Sequence, residues 1–188
     1  MNLAGQFSLV NSVPWLLGLG LLGLLNSSDL GSSALAQSSA QENEPNVLFR
    51  NVSLSPGFRP DPSKLHGLSG GAITASTKAG KATTETGPCN GFVDDRPDHE
   101  LTLSSAFNYL NLRVRSTGDT MLLVKGPGGS WCNDNAAATP TATTTNINPA
   151  ISGRWLPGTY QVWIGSKQQG EYLPYVLEIT QSPVPIQP

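Results

Sequence analysis

Between Tyr109 and Ser116 oily and polar residues alternate: Leu110, Leu112 and Val114 interleave with Asn111, Arg113 and Arg115. Successive side chains of an extended strand leave opposite faces, so this pattern predicts a half-buried strand with one dry and one charged face. The same period returns in Gly158 to Gly165, through Tyr160, Val162 and Ile164, and in Tyr172 to Thr180, through Tyr175, Leu177 and Ile179. Asp119 to Lys125 predicts another strand, and the short link Ser116-Thr117-Gly118 predicts that it pairs antiparallel with the strand before it. A first strand is predicted over Val47 to Leu54, Gly70 to Thr77 is small and β-compatible, and no helix is evident after residue 46.

Turn chemistry separates these runs. Three prolines in Ser55 to Pro62 forbid regular pairing, Gly126-Pro127-Gly128-Gly129 breaks a ladder, and the Pro-rich end from Ser182 to Pro188 cannot continue one. Asn133 to Pro149 is Ala, Thr and Asn without periodicity, which predicts a long surface loop. Short strands with this punctuation predict an all-β fold, a single antiparallel β-sandwich or jelly roll over residues 47–181.

The first 46 residues differ in kind. Val13 to Leu25 is an apolar run of signal-peptide length, shorter than the roughly 20 residues a membrane-spanning helix needs. It leads to Ala34-Leu35-Ala36, whose small side chains suit a signal peptidase. The expectation is a helical signal peptide over residues 1–36, cleavage after Ala36, a flexible polar linker over 37–46 and a secreted or periplasmic mature chain without a transmembrane segment.

Composition narrows the partners. The formal net charge is only -2 and the Lys and Arg residues are scattered, so nothing points to nucleic acid or an anionic membrane. The expected state is a monomer. The only two cysteines, Cys89 and Cys132, read as one disulfide in an oxidising compartment. Neither has a second Cys or a His at zinc-ligand spacing, and His66 and His99 stand apart.

A resemblance gathers in the second half. Asp119-Thr120-Met121-Leu122-Leu123-Val124 runs into a Gly-rich turn and Trp131-Cys132-Asn133-Asp134-Asn135, followed later by Leu156-Pro157-Gly158-Thr159-Tyr160-Gln161-Val162-Trp163-Ile164-Gly165. This series resembles the bacterial pre-peptidase C-terminal domain, a secreted β-sandwich often appended to extracellular peptidases. From about Leu54 to Thr180 the chain also resembles short stand-alone exported proteins of cyanobacterial type. The resemblance implies the sandwich fold and, with no cofactor required, a calcium site built on Asp119 and Asp134, with Asn133 and Asn135 beside the latter. A second oxygen-rich patch holds Asp94, Asp95 and Asp98. Calcium wants six to eight oxygens, and affinity climbs with carboxylate number. Asx-turns at Asp95 and Asp98, with Asp119 holding a turn open to solvent, account for the same residues without a metal.

His66-Gly67-Leu68-Ser69-Gly70-Gly71 echoes the surroundings of a trypsin-like nucleophile, but Leu68 replaces the acid and His66 is only three residues from Ser69. The chain is therefore expected not to be an enzyme. Trp131, Trp155 and Trp163 are the candidates for stacking on sugar rings; Trp163, opposite in parity to its oily neighbours, should leave the dry face. The function these residues predict is a non-catalytic exported binding or accessory module for a cell-surface polysaccharide or a protein partner. A structural or stress-related envelope protein is the alternative, and a hydrolase a distant third.

Overall fold

The structure, a computed structural model, describes residues 47–135 and 148–183, and nearly all their regular backbone is strand. In chain order the elements are β1 (Val52–Leu54), β2 (Ser63–Leu68), β3 (Ile73–Thr74), α1 (Ala75–Ala79), β4 (Thr83–Thr84), β5 (Gly87–Pro88), β6 (Phe92–Val93) and β7 (His99–Leu103). They continue with β8 (Phe107–Ser116), β9 (Thr120–Gly126), β10 (Gly129–Asn133), β11 (Ala150–Trp155), β12 (Gly158–Ser166) and β13 (Pro174–Thr180). The expected signal peptide and linker, residues 136–147 of the expected loop and residues 184–188 of the tail lie outside the described residues.

One sheet has four strands in the order β11-β8-β13-β2. The other has seven and is organised around β12, which pairs along one edge with β7 and then β6, and along the other with β9, itself paired with β10. The oily positions of the alternating strands behave as their period requires, whereas Asn111, expected on the wet face of β8, is itself buried. Leu110, Leu112 and Val114 of β8 and Tyr175, Leu177 and Ile179 of β13 face Leu101, Leu103, Leu122, Val124, Tyr160, Val162 and Ile164 across one buried core. β4 and β5 form a separate two-stranded ribbon.

A second, smaller cluster covers the outer face of the seven-stranded sheet. Ala75 and Ala79 of α1 pack with Val93, Met121, Leu123, Trp163 and the Cys89–Cys132 disulfide. β9 is buried along Thr120–Val124, which explains why its sequence is a continuous apolar run rather than an alternating one.

Several expectations are corrected. The link after β8 does not make a hairpin: β8 lies in the four-stranded sheet and β9 in the seven-stranded one, so Thr117 to Asp119 carry the chain between layers. A strand that is apolar on both faces needs cover on both, and β9 finds it between the core and the outer cluster. Gly126-Pro127-Gly128-Gly129 turns the ladder instead of ending it, with Gly126 opposite Gly129 in the β9–β10 pair. The strand expected from Val47 shrinks to β1, because Phe49 sits at φ 58 and kinks the backbone out of extended form. β1 also runs parallel to β7, whereas the other ladders between described strands are antiparallel. Within Gly70 to Thr77 the chain enters α1, capped by the Thr74 hydroxyl, which accepts from the Thr77 amide, and ended by Gly80 at φ 79.

The disulfide joins the segment before β6 to β10, closing a sequence separation of 43 residues. Reduction should therefore lower the unfolding free energy by about 4 kcal/mol, the chain-entropy value for a loop of this length. Denaturant titrations with and without reductant check this; superimposable curves would show that the bond contributes nothing.

Candidate functional site

Two concavities hold the chemically distinctive side chains. The first is a cavity of about 290 Å³ at the turns of β10 and β11, lined among others by Trp131, Trp155, Tyr160, Leu156, Arg154 and Glu85. Its aromatic floor is a contiguous cluster. The ring centroids of Trp155 and Tyr160 are 4.9 Å apart in an edge-on arrangement, and Trp131 stands 6.3 Å from each. Two of the three rings are fixed by their polar ends: Trp155 Nε1 donates to the Leu110 carbonyl at 3.0 Å and the Tyr160 hydroxyl to the Leu156 carbonyl at 2.9 Å. Trp131 is only partly buried, and its indole N–H makes no hydrogen bond among the described residues. Leu156, 49% exposed, adds apolar surface at the rim.

The second is an open cleft of about 410 Å³ lined by Phe49, Asp94, Asp95, Arg96, Pro97 and Asp98. Asp98 is unusual because it is buried, 6% exposed, with its Oδ2 accepting the Ile164 amide at 2.7 Å. The cause is in the ladder. Along that edge of β12, pairing with β7 ends at Val162 and pairing with β6 begins at Ser166, so the Ile164 amide falls in the gap and a carboxylate takes the place of a strand. Burial pushes the Asp98 carboxyl up to about 7, against the lowering effect of the amide and with a further rise from Asp94.

Next in the chain, His99 is 1% exposed and both ring nitrogens are engaged: Nδ1 with the Arg50 carbonyl and Nε2 with the Tyr175 hydroxyl, each at 2.8 Å. A carbonyl only accepts, so Nδ1 carries the proton and, in the neutral ring, Nε2 accepts from Tyr175. Burial lowers His99 to about 4, which keeps it neutral, and burial likewise raises the Tyr175 hydroxyl, with the charge of Asp98 adding to the rise. The Tyr175 ring lies over Gly67, where any Cβ would collide with it.

The other sequence candidates are dispersed. Trp163 leaves the main core as its parity predicted, yet the outer cluster buries it to 2% exposure under α1, with Lys78 Nζ 5.9 Å from its ring centroid. It presents no free face for stacking; parity reports which side of a sheet a residue takes, not what covers that side. Trp155 is likewise buried, and only Trp131 keeps an accessible part. Asp95 pairs with Lys78 at 2.8 Å, and that hydrogen-bonded cation holds its carboxyl below the ordinary value. Asp134 accepts from Asn90 at 3.2 Å and faces Lys167 at 3.7 Å. Asn133 spends both ends of its amide, donating to the Thr86 carbonyl and accepting from the Ala150 amide. Asn135 is exposed, and Oδ1 of Asp119 is buried without a partner. Among the described residues no three His, Cys, Asp or Glu side chains come together in a group that could hold a metal.

The nucleophile-like string is a structural device. The Ser69 hydroxyl is buried against that of Ser166 at 2.7 Å and accepts the Leu173 amide, tying β12 to the segment before β13. None of its hydrogen bonds goes to His66.

No family model matches the chain. An uncharacterised protein of the cyanobacterium Synechococcus elongatus is 29% identical over 94 residues, which are 48% of this chain and 63% of that relative. This chain therefore spans less than two thirds of the relative's length. Among solved structures, similarity is found to the pre-peptidase C-terminal domain of a collagenase from Bacillus anthracis, with a TM-score of 0.37 and 8% identity, covering 69% of this chain and 94% of that domain. The Aeromonas hydrophila PliG protein, a periplasmic inhibitor of g-type lysozyme, aligns with a TM-score of 0.34 and 13% identity over 70% of this chain and 96% of its own.

The two buried ionisable neighbours act on stability with opposite sign. Asp98 binds its proton more tightly folded than unfolded, so its contribution is complete below pH 3.8 and is lost as the pH climbs to about 7. His99 binds its proton less tightly folded, so its contribution is complete above pH 6.5 and is lost as the pH falls to about 4. Asp98→Asn keeps an acceptor for Ile164 and removes the first effect alone. The stability of this variant relative to the parent should rise between pH 4 and 7 by roughly 4 kcal/mol and level off above. Parallel stability curves across that range would show that Asp98 ionises normally in the fold.

Proposed function

We propose that this chain is an exported, non-catalytic binding module whose contact site is the aromatic cavity, and that the ligand is a cell-surface polysaccharide. The observation that carries the proposal is Trp131: a partly accessible indole with an uncommitted N–H, set against two rings whose own polar groups are satisfied internally. A sugar ring offers a C–H face that stacks on an aromatic plane and hydroxyls that accept from such an N–H, while Arg154 and Glu85 at the rim supply polar contacts. Fixed rings lose little conformational freedom on binding.

Export is supported by the Cys89–Cys132 bond, which persists in oxidising compartments, and by the leader-like sequence ending at Ala36. The proposal on catalysis is supported by the local chemistry: His99 is held neutral with both nitrogens engaged, and Ser69 is bonded to Ser166.

Retention on a panel of immobilised bacterial and algal glycans tests the assignment. The protein should bind at least one glycan, and Trp131→Ala should weaken retention about tenfold or more while circular dichroism shows it still folded at the assay temperature. Failure to retain any glycan, or equal retention by the variant, would remove the polysaccharide reading.

A further inference from the structure

A third concavity, of about 290 Å³, lies on the outer face of the four-stranded sheet, where β8 and β13 run side by side. Asn111, Arg113 and Arg115 reach it from β8 and Glu178 from β13, at the positions that alternate with the core residues Leu112, Val114 and Leu177. Three buried polar atoms set it apart, because none has a hydrogen-bond partner: Asn111 Oδ1, Arg113 Nε and Asp61 Oδ1. All three residues line this one concavity. Asn111 is only 4% exposed, and the Arg113 guanidinium makes no hydrogen bond or ion pair among the described residues. The groups beside them are committed. Arg115 Nε donates to Glu178 Oε2 at 2.7 Å, and the Ser182 hydroxyl donates to Oδ2 of Asp61 at 3.2 Å. Buried polar atoms in folded proteins are nearly always paired, so three orphans around one concavity leave a desolvation cost that a ligand's hydrogen bonds remove.

The orphans are of both kinds, two acceptors and one donor. A simple anion satisfies Arg113 but meets the carboxylates of Asp61 and Glu178; a simple cation meets the reverse. A hydroxyl both donates and accepts, so a ligand carrying several neighbouring hydroxyls and no charge matches the whole set. Pro62 and Pro183 add apolar wall for the C–H faces of such a ligand. The place is also continuous with the aromatic cavity. Ser152, which lines that cavity, is directly opposite Asn111 in the β11–β8 ladder. Directly opposed residues share one face of a sheet, with Cβ atoms about 5 Å apart. The aromatic cavity likewise presents both signs of charge, Arg154 and Glu85.

We infer that this concavity is a second sugar subsite, with Asn111, Arg113 and Asp61 as its hydrogen-bonding groups, and that the glycan it takes is uncharged. The inference takes its ligand class from the polysaccharide reading of the aromatic cavity, and on that reading one glycan chain crosses β11 between Trp131 and Asn111. The orphaned atoms stand independently of it.

Two resonances report the subsites separately: the side-chain amide of Asn111 and the indole N–H of Trp131. Isotope-labelled protein at constant ionic strength is titrated with cellohexaose, laminarihexaose and mannohexaose and with the matching disaccharides. Hexaguluronate, sodium sulfate and a capped tetraglycine serve as the acidic-sugar, anion and peptide arms. At least one neutral hexasaccharide should shift both resonances saturably and bind about tenfold tighter than its disaccharide, which is too short to hold both subsites. Arg113→Gln, and Asp61→Ala in the loop before β2, should each weaken the hexasaccharide about fivefold, while the shift of Trp131 by the disaccharide stays as in the parent. A shift at Trp131 with none at Asn111 overturns the inference and leaves the aromatic cavity as the binding site. A shift at Asn111 with none at Trp131 upholds the second subsite and removes the aromatic cavity. The inference is also overturned if no neutral hexasaccharide shifts Asn111, if both variants bind like the parent, or if hexaguluronate, sulfate or tetraglycine shifts Asn111 at lower concentration than every neutral hexasaccharide.

Discussion

Both faces of β12 have to be kept dry, and much of what is distinctive in this domain answers that requirement. Its residues from Val162 to Ser166 are buried without interruption: Val162 and Ile164 face the other sheet, and Trp163 faces outward. A two-layer sandwich normally leaves its outer faces to water. Here α1 and the disulfide make a partial third layer over Trp163, Val93 and the neighbouring residues of β9. Lys125 and Ser130 side chains hold the last carbonyls of α1, so the short helix is pinned to the sheet rather than left to its own weak propensity.

The same strand explains the buried polar chain. Where β7 gives way to β6 an amide loses its partner, and Asp98 supplies one. The polar contacts of His99 then link that region to Arg50 and Tyr175, so a break in one ladder is tied to the four-stranded sheet and to the amino-terminal edge. Asp98 is thus both a structural acceptor and part of a cleft wall.

The sequence was most legible where the inward residues of a strand recur with period two. β8, β12 and β13 alternate, and the residues expected to be buried are buried. It was least legible where tertiary cover overrides local pattern. β9 shows no alternation because neither face is wet, and the three-residue link before it looks the same whether the chain returns within one sheet or crosses to the next. β11 holds Ser152 and Gly153 with a register shift before Trp155, so its period is interrupted and no strand was read there. Asp98 was read with Asp94 and Asp95 as one oxygen-rich patch, because nothing in the string Asp94-Asp95-Arg96-Pro97-Asp98 tells which carboxylate turns inward. The one available signal was that His99 and Leu101 alternate into the core immediately afterwards. Trp131 and Trp155 were visible as aromatic candidates, whereas their meeting with Tyr160 depends on the approach of β10, β11 and β12 in space.

The parallel placement of β1 has a further consequence at the margins of the sheets. β1 is three residues long and caps β7, β3 is two residues long, and β11 is disrupted at Gly153. The β2 margin is partly occupied by Leu48, which bridges to His66. The β10 border is met at the Cys132 main chain by the Thr84 and Thr86 hydroxyls, so each border is short, irregular or partly taken, and a neighbouring molecule finds little continuous main chain on which to begin a fibril.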